Sequence, residues 1–441
     1  MSEQQLLEEF VRSCELLQRT GNDSALLQFR ETLNDKTIDF ALFVLKTCVS
    51  QSNPSFSLVQ FQASLLLQHG VVKQWSVLNP EYKVSLKGST LQFLMENVSN
   101  NSLHRSAAMQ LIRTLAVMWK SSWLDKDELS RQTRQEFLNS LSITVRIEET
   151  ENTSALAKLK SVIALRIFTA LIEEFSLSNK SSQIGVTFEY HFNCKKNFEK
   201  ESLCKIFSVA ANCLVHIHSQ IGTGITLVDI EIIENCLRVF EATLIPDFDE
   251  RIVNKLFASE RARNESNAAL LTVRPGSRFR ELIVDSQLIP LLFSVYFAVR
   301  NVCTKGIHAA QSSKIVHSIR QVLTQFAMIN GTIFLENEQT VSDLRQPTHR
   351  SAFASKFVAG VLQVFANPIV DINTVLSANI VQTFELGNSA AKQMATLGSE
   401  EILDMCNLLH RLESNFGAEV FLAVELDNHN SVNNWGFQTY L

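Results

Sequence analysis

Six residues in the middle of the chain carry the donor atoms of a zinc site: His191, Cys194, Cys204, Cys213, His216 and His218. A structural zinc needs four such ligands converging to about 2.0–2.3 Å from the metal. The spacing here is His-x2-Cys, two isolated cysteines, then His-x-His three residues beyond Cys213. Cys213 and His216 share a helix face, whereas His218 points elsewhere. The pattern matches no compact zinc module, and we expect no metal and no other cofactor. Gly222 and Gly224 form a lone G-x-G. It lacks the preceding strand and the Lys-Ser/Thr of a phosphate loop, so it reads as a turn. The Ser, His and Asp residues show neither a nucleophile elbow nor the order of a hydrolase triad. No enzyme is expected.

Charge gives two further candidates. Residues 251–280 hold Arg251, Lys255, Arg261, Arg263, Arg274, Arg278 and Arg280 against Glu260 and Glu265. Residues 400–427 hold Glu400, Glu401, Asp404, Glu413, Glu419, Glu425 and Asp427 against Arg411 alone. Each run reads either as solvated surface or as a patch for a partner of opposite sign. The formal net charge of −5 does not favour phosphate backbones, so no nucleic-acid partner is expected.

The elements that would position these residues follow from composition and periodicity. A chain of 441 residues is too long for one compact core. Seven Pro and 14 Gly are too few for the tight turns of a β-sandwich or a dinucleotide-binding α/β fold. The 29 Phe against 4 Tyr and 4 Trp suit dry contacts between helices. The 8 Cys are scattered without a repeated pairing, which predicts reduced thiols. The N-terminus, M-S-E-Q-Q-L-L-E-E-F, has no basic region and no apolar run of a signal peptide. No window reaches 18 uninterrupted apolar residues, and no membrane insertion is expected.

Apolar spacing is helical throughout. Leu58, Phe61, Leu65, Val72 and Trp75 make one stripe, and Phe353, Phe357, Val361 and Val364 another. In 153–176, Leu156, Leu159, Ile163 and Ile167 form one apolar face and Val162, Leu165, Phe168 and Ile172 a second. A helix apolar on two sides sits between neighbours. Helices are predicted over 3–18, 22–34, 36–50, 57–75, 79–99, 101–121, 127–143, 153–176, 199–219, 226–244, 278–301, 306–329, 348–367, 370–386 and 398–412. Asp35, and Thr153 or Ser154, are candidate N-caps. Two helices and their turns come to roughly 40–47 residues, the period of HEAT-type repeats. The expected fold is therefore an all-α solenoid superhelix of HEAT/ARM-like hairpins, with inserts at 177–198, 245–277 and 335–348. The stretch 413–441 shows no helical stripe and no polar terminal cap, as expected of a chain that stops inside a longer array.

One block is far more specific than any of these patterns. Residues 174–198 read E-F-S-x-S-x-K-x-S-x-I-G-x-x-x-E-x-H-x-N-C-K-x-x-F. The letters are Glu174, Phe175, Ser176, Ser178, Lys180, Ser182, Ile184, Gly185, Glu189, His191, Asn193, Cys194, Lys195 and Phe198. The block resembles a loop between helical hairpins in the exportin-4 family of nuclear transport receptors, within the importin-β superfamily. Four more segments resemble that family in the same order. They are V-Q-F-Q-A-S-L-L-L-Q-H-G-V-V-K-Q-W ending at Trp75, and Q-L-I-R-T-L-A-V-M-W-K ending at Lys120 with Leu124 and Asp125 beyond. The others are R-P-G-S-R-F-R-E-L-I-V-D-S through Arg280, and N-G-T-I-F at 330–334. The resemblance runs in patches from about 20 to 365.

The resemblance implies a receptor that binds Ran in its GTP state through the inner helices of the N-terminal repeats. It also implies protein cargo, such as the hypusine-bearing translation factor or Smad-type proteins, and weak contacts with Phe-Gly nucleoporins. Such a receptor shuttles between nucleus and cytoplasm. Residues 1–150 are then the Ran-contacting hairpins, 151–412 further hairpins and 413–441 an irregular end. The inner helices are expected at 36–50, 79–99 and 127–143. Their exposed candidates for Ran are Lys46, Lys83, Lys87, Glu96, Arg131 and Arg134. Family members are more than twice as long as this chain, which leaves a shortened helical scaffold, or a protein that sequesters Ran, as the alternative.

Overall fold

The computed structural model describes residues 2–50, 56–146, 155–176, 185–221, 224–245, 248, 273–304, 308–335, 349–366 and 401–417. It is all-α. Among the described residues the β pairing is one isolated parallel bridge, Val273 to Ile329. The chain divides into two compact units, Met1–Cys213 and Leu214–Leu441.

The first unit holds α1 (Glu3–Thr20), α2 (Ser24–Leu33), α3 (Thr37–Ser50), α4 (Ser57–Gln74), α5 (Pro80–Ser99), α6 (Arg105–Ser121), α7 (Glu128–Val145), α8 (Ala155–Phe175) and α9 (Phe188–Phe198). Helix α3 pairs with α4, α5 with α6 and α7 with α8. Helices α4, α6 and α8 pack in sequence as one row, and α5 touches α7 in the other. This is the hairpin stacking of an α-solenoid. Phenylalanines seal its start, with Phe10, Phe29 and Phe40 bringing α1, α2 and α3 together at centroid distances of 5.4–5.9 Å. The α3–α4 crossing is tight, and a Cβ at Gly70 would stand 2.8 Å from Ile38 Cγ1.

After α9 the chain runs through one π turn, Glu199–Leu203, into α10 (Cys204–Ile221), within which the unit boundary falls. The second unit continues with α11 (Leu227–Thr243), the single turn α12 (Arg280–Ile283), α13 (Leu288–Thr304), α14 (Ala309–Phe326), α15 (His349–Ala366) and α16 (401–416). Helix α13 packs on α14 and α15, and α11 packs on α14. A Cβ at Gly360 would meet the Phe293 ring at 2.3 Å, so the α13–α15 crossing requires glycine.

Several expectations are corrected. The predicted insert 177–198 is a helix from Phe188, started by Thr187, whose hydroxyl accepts from the Tyr190 amide at 3.2 Å. The predicted helix 278–301 breaks after Ile283, where Ser286 Oγ accepts the Leu288 amide and Pro290 lies in the first turn of α13. Asp35 is not a cap but lies inside the 3-10 turn Asn34–Lys36 that runs straight into α3. The stripe Leu58, Phe61, Leu65 and Val72 is only half-buried. The deepest residues of α4 are Ala63, Leu66, Leu67 and Val71, because α4 has neighbours in α1, α3 and α6. In α8 both predicted faces are buried from Ser161 onward, where the Ser161 hydroxyl donates to the Thr144 carbonyl at 2.8 Å, but Leu156 is exposed. The stripe Phe353, Phe357, Val361 and Val364 is buried as expected. Helix α16 runs on to 416, into the stretch expected to be irregular. The predicted helix 370–386, the candidate caps Thr153 and Ser154, and most of the inserts 245–277 and 335–348 lie outside the described residues.

No single helix among the described residues is long and apolar enough to cross a membrane. The bent pair Ser277–Ile283 and Leu288–Cys303 passes by length and composition, and its Ile289, Leu292 and Phe293 belong to the core of the second unit.

Candidate functional site

Helix α6 is buried on most of its circumference and ends in Trp119, Lys120 and Ser121. The Lys120 side chain has no exposure at all, so its ammonium must be bonded by protein. It donates to the Glu174 carboxylate at 2.9 Å and to the Glu174 carbonyl at 2.6 Å. Glu174 lies at the C-terminal end of α8, where unsatisfied carbonyls favour a cation. Burial pushes the Lys120 pKa down, and the neighbouring Glu174 charge opposes that fall.

The end of α6 is capped in turn by α9. The Tyr190 hydroxyl lies 3.2 Å from the Lys120 carbonyl and 3.1 Å from the Ser121 carbonyl, and Cys194 Sγ lies 3.8 Å from the former. Trp123 donates its ring N–H to Asn197 Oδ1 at 2.8 Å. Its ring stands edge-on to Phe175 and Phe198, which stack on each other at 4.4 Å. Burial pushes the Cys194 thiol up to about 12 and raises the Tyr190 phenol as well. A thiol so far from ionising is no nucleophile at neutral pH.

The block at 174–198 is thus a packed junction. Glu174, Phe175, Cys194 and Phe198 meet the α6 terminus, and Ser176, His191 and Lys195 are buried nearby. Lys195 pairs with Glu199 at 2.8 Å. Gly185, Glu189 and Asn193 are exposed, and Lys180 and Ile184 lie outside the described residues. Trp123, Tyr190 and Asn197 escape a reading that treats 177–198 as a loop. Their signal is the spacing Tyr190, Cys194, Asn197, which is one face of a helix. Among the described residues, no three His, Cys, Asp or Glu groups come together to hold a metal ion.

The candidates for Ran lie on α3, α5 and α7, but not all are accessible. Lys46, Glu96 and Arg131 are exposed. Lys83 is half-buried, 5.7 Å from the centre of the Trp75 ring, and Arg134 is half-buried, 5.0 Å from that of Trp123. Lys87 corrects the expectation of exposure. It is 2% exposed, with its ammonium 4.1 Å from the centre of the Trp119 ring and 3.1 Å from Ser122 Oγ. Burial lowers its pKa to about 8.

In the second unit Arg280 plays the part of Lys120. Its guanidinium donates to the carbonyls of Ile333 at 2.8 Å and Thr332 at 3.2 Å, and also to that of Leu335. The acidic run is likewise no plain solvated face. Glu401 pairs with Arg300 at 3.1 Å and accepts the Tyr296 hydroxyl, and Asp404 pairs with Arg320 at 2.6 Å. Arg251, Lys255, Arg261, Arg263, Glu400, Glu419, Glu425 and Asp427 lie outside the described residues.

The two junctions unite the segments that looked familiar in the sequence. The segment ending at Lys120 meets 174–198, and the segment through Arg280 meets 330–334. A family model described as Exportin-4 matches residues 11–348. The chain belongs to the Exportin-4 family. It is 22% identical to the Exportin-4 of Dictyostelium discoideum over 348 residues, 76% of this chain and 28% of that relative. The chain therefore spans less than a third of the curated Exportin-4 relative it matches. The Exportin-4 match takes in both junctions and helices α3, α5 and α7. Exportins are a family of transport receptors, not of enzymes.

Proposed function

We propose that the chain acts in nuclear export as a receptor of the Exportin-4 type, binding Ran-GTP and protein cargo and meeting Phe-Gly nucleoporins at the pore. The observation that carries this reading is the family match across 11–348, together with the first unit's hairpins α3–α4, α5–α6 and α7–α8 packed one on the next. Such a stack flexes by small adjustments summed over its interfaces. If Ran-GTP and cargo favour the same curvature, each tightens the other's binding, and GTP hydrolysis in the cytoplasm releases both. The chain then shuttles between nucleus and cytoplasm. Ran contact falls to Lys46, Glu96 and Arg131, with Lys83 and Arg134 at the margin, and the buried Lys87 takes no part in it.

A second reading departs from the first at cargo alone. On that reading it is an exportin-like scaffold that binds a partner or sequesters Ran without carrying cargo. A pull-down from purified components separates the two. Capture of GTP-locked Ran over GDP-bound Ran, strengthened by the hypusine-bearing factor or a Smad-type protein, is the result for a receptor. GTP-selective capture that neither cargo strengthens is the result for sequestration. Equal capture of both nucleotide forms, or none, would exclude both Ran-dependent readings.

A further inference from the structure

Three cations of the first unit gather where α5 and α7 begin. Lys83 and Lys87 are one turn apart on α5, and Arg134 comes from the second turn of α7. Each is held over a tryptophan ring, Trp75, Trp119 and Trp123 respectively. Lys87 and Arg134 are fixed further by Ser122 Oγ and the Trp123 carbonyl. None of the three has a carboxylate within ion-pair distance among the described residues. Asp125 in the α6–α7 turn acts on all three at longer range, and Asp127 is engaged in capping α7 through the Ser130 amide at 2.8 Å. Against these two carboxylates the three cations leave a single excess positive charge, on a chain whose net charge is negative.

Two exposed apolar side chains lie close to it in sequence. Val77, two residues beyond Trp75, is 81% exposed, and Leu129 is exposed in the first turn of α7. The geometry points to this end of the α5–α7 pair as an interaction surface for an acidic protein segment. Its carboxylates face Lys83 and Arg134, and its apolar side chains lie against Val77 and Leu129. A nucleic acid fits less well, because each ring already carries a cation from the chain itself and is not free to stack on a base. The inference stands apart from Ran binding, although Lys83 and Arg134 belong to both.

The test uses the full chain and a fluorescein-labelled peptide of alternating glutamate and leucine, followed by fluorescence anisotropy. A second peptide carries lysine in place of glutamate. The acidic peptide is expected to bind saturably and the basic one not. Lys83→Glu and Arg134→Gln should each weaken binding roughly five- to tenfold, and Lys205→Glu, an exposed charge elsewhere, should leave it unchanged. Arg134→Gln also removes the bond to the Trp123 carbonyl, so Lys83→Glu, at a half-exposed position, carries the decision with helicity checked by circular dichroism. No saturable binding, equal binding of both peptides, or equal losses for Lys83→Glu and Lys205→Glu would overturn the inference. Ran capture is scored separately. A chain that captures Ran-GTP but ignores the acidic peptide keeps the proposed function and loses this surface, and the opposite result does the reverse.

Discussion

Lys120 in the first unit and Arg280 in the second perform the same task by different means. Each places a cation on backbone carbonyls, and each joins chain segments more than fifty residues apart. Lys120 is wholly enclosed and carries a carboxylate partner, Glu174. Arg280 is half-exposed and meets carbonyl dipoles. The difference follows from solvent. The enclosed charge of Lys120 is met by an opposite charge, whereas Arg280 keeps part of its hydration and is satisfied by dipoles. A planar guanidinium also reaches several carbonyls at once, which an ammonium enclosed by side chains does not.

Removing the enclosed cation should therefore hurt most. Lys120→Met removes one partner of a buried ion pair and should cost about 3–5 kcal/mol. Denaturant melts of the intact chain measure this, and a loss under about 1 kcal/mol would erase the contrast between the junctions. Arg280→Ala should cost less, about 2 kcal/mol, because water can reach part of the carbonyl set.

Lys87 sharpens the comparison as a buried lysine that lacks the carboxylate Lys120 has. Its folded pKa of about 8 lies below the usual lysine value. Between that pH and about 10.5 the unfolded chain binds more protons than the folded one, so stability should rise with pH across this window. Relative to Lys87→Met, the wild type should gain about 2–3 kcal/mol from pH 7 to pH 10. Melting temperatures of the two chains that stay parallel across that range would show that Lys87 is not desolvated.

The glycine crossings give a smaller contrast between the units. Gly360→Ala, against the Phe293 ring, should destabilise by about 2–3 kcal/mol, and Gly70→Ala, against the Ile38 side chain, by about 1–2 kcal/mol. Gly88→Ala, in α5 with open space around it, should stabilise by about 0.5–1 kcal/mol. Thermal melts rank the three, and a reversed order would mean that the crossings relax freely.

Most of the helices were legible because their stripes repeat at helical spacing, as in Phe353, Phe357 and Val361. What stayed hidden depends on partners distant in sequence. The polar letters from Ser176 to Ser182 masked the start of α9, although Thr187 was a readable cap three residues before Tyr190. Lys87 reads as surface on a polar helix until Trp119 and Ser122, from the end of the partner helix α6 more than thirty residues on, close over it. Lys120 stands in a segment that resembles the family, yet its pairing with Glu174 is a tertiary fact. Glu401 and Asp404 looked like solvated acid because their arginines, Arg300 and Arg320, lie some eighty to one hundred residues earlier. Composition and spacing register a helix and its faces, and a buried charge shows itself only when its counter-charge is in place.

Amide hydrogen exchange of the full chain, with and without GTP-loaded Ran, tests the central claim most directly. Added protection is expected in peptides from α3, α5 and α7, and none with GDP-loaded Ran. Protection confined to Leu214 onward, or identical for both nucleotides, would contradict it.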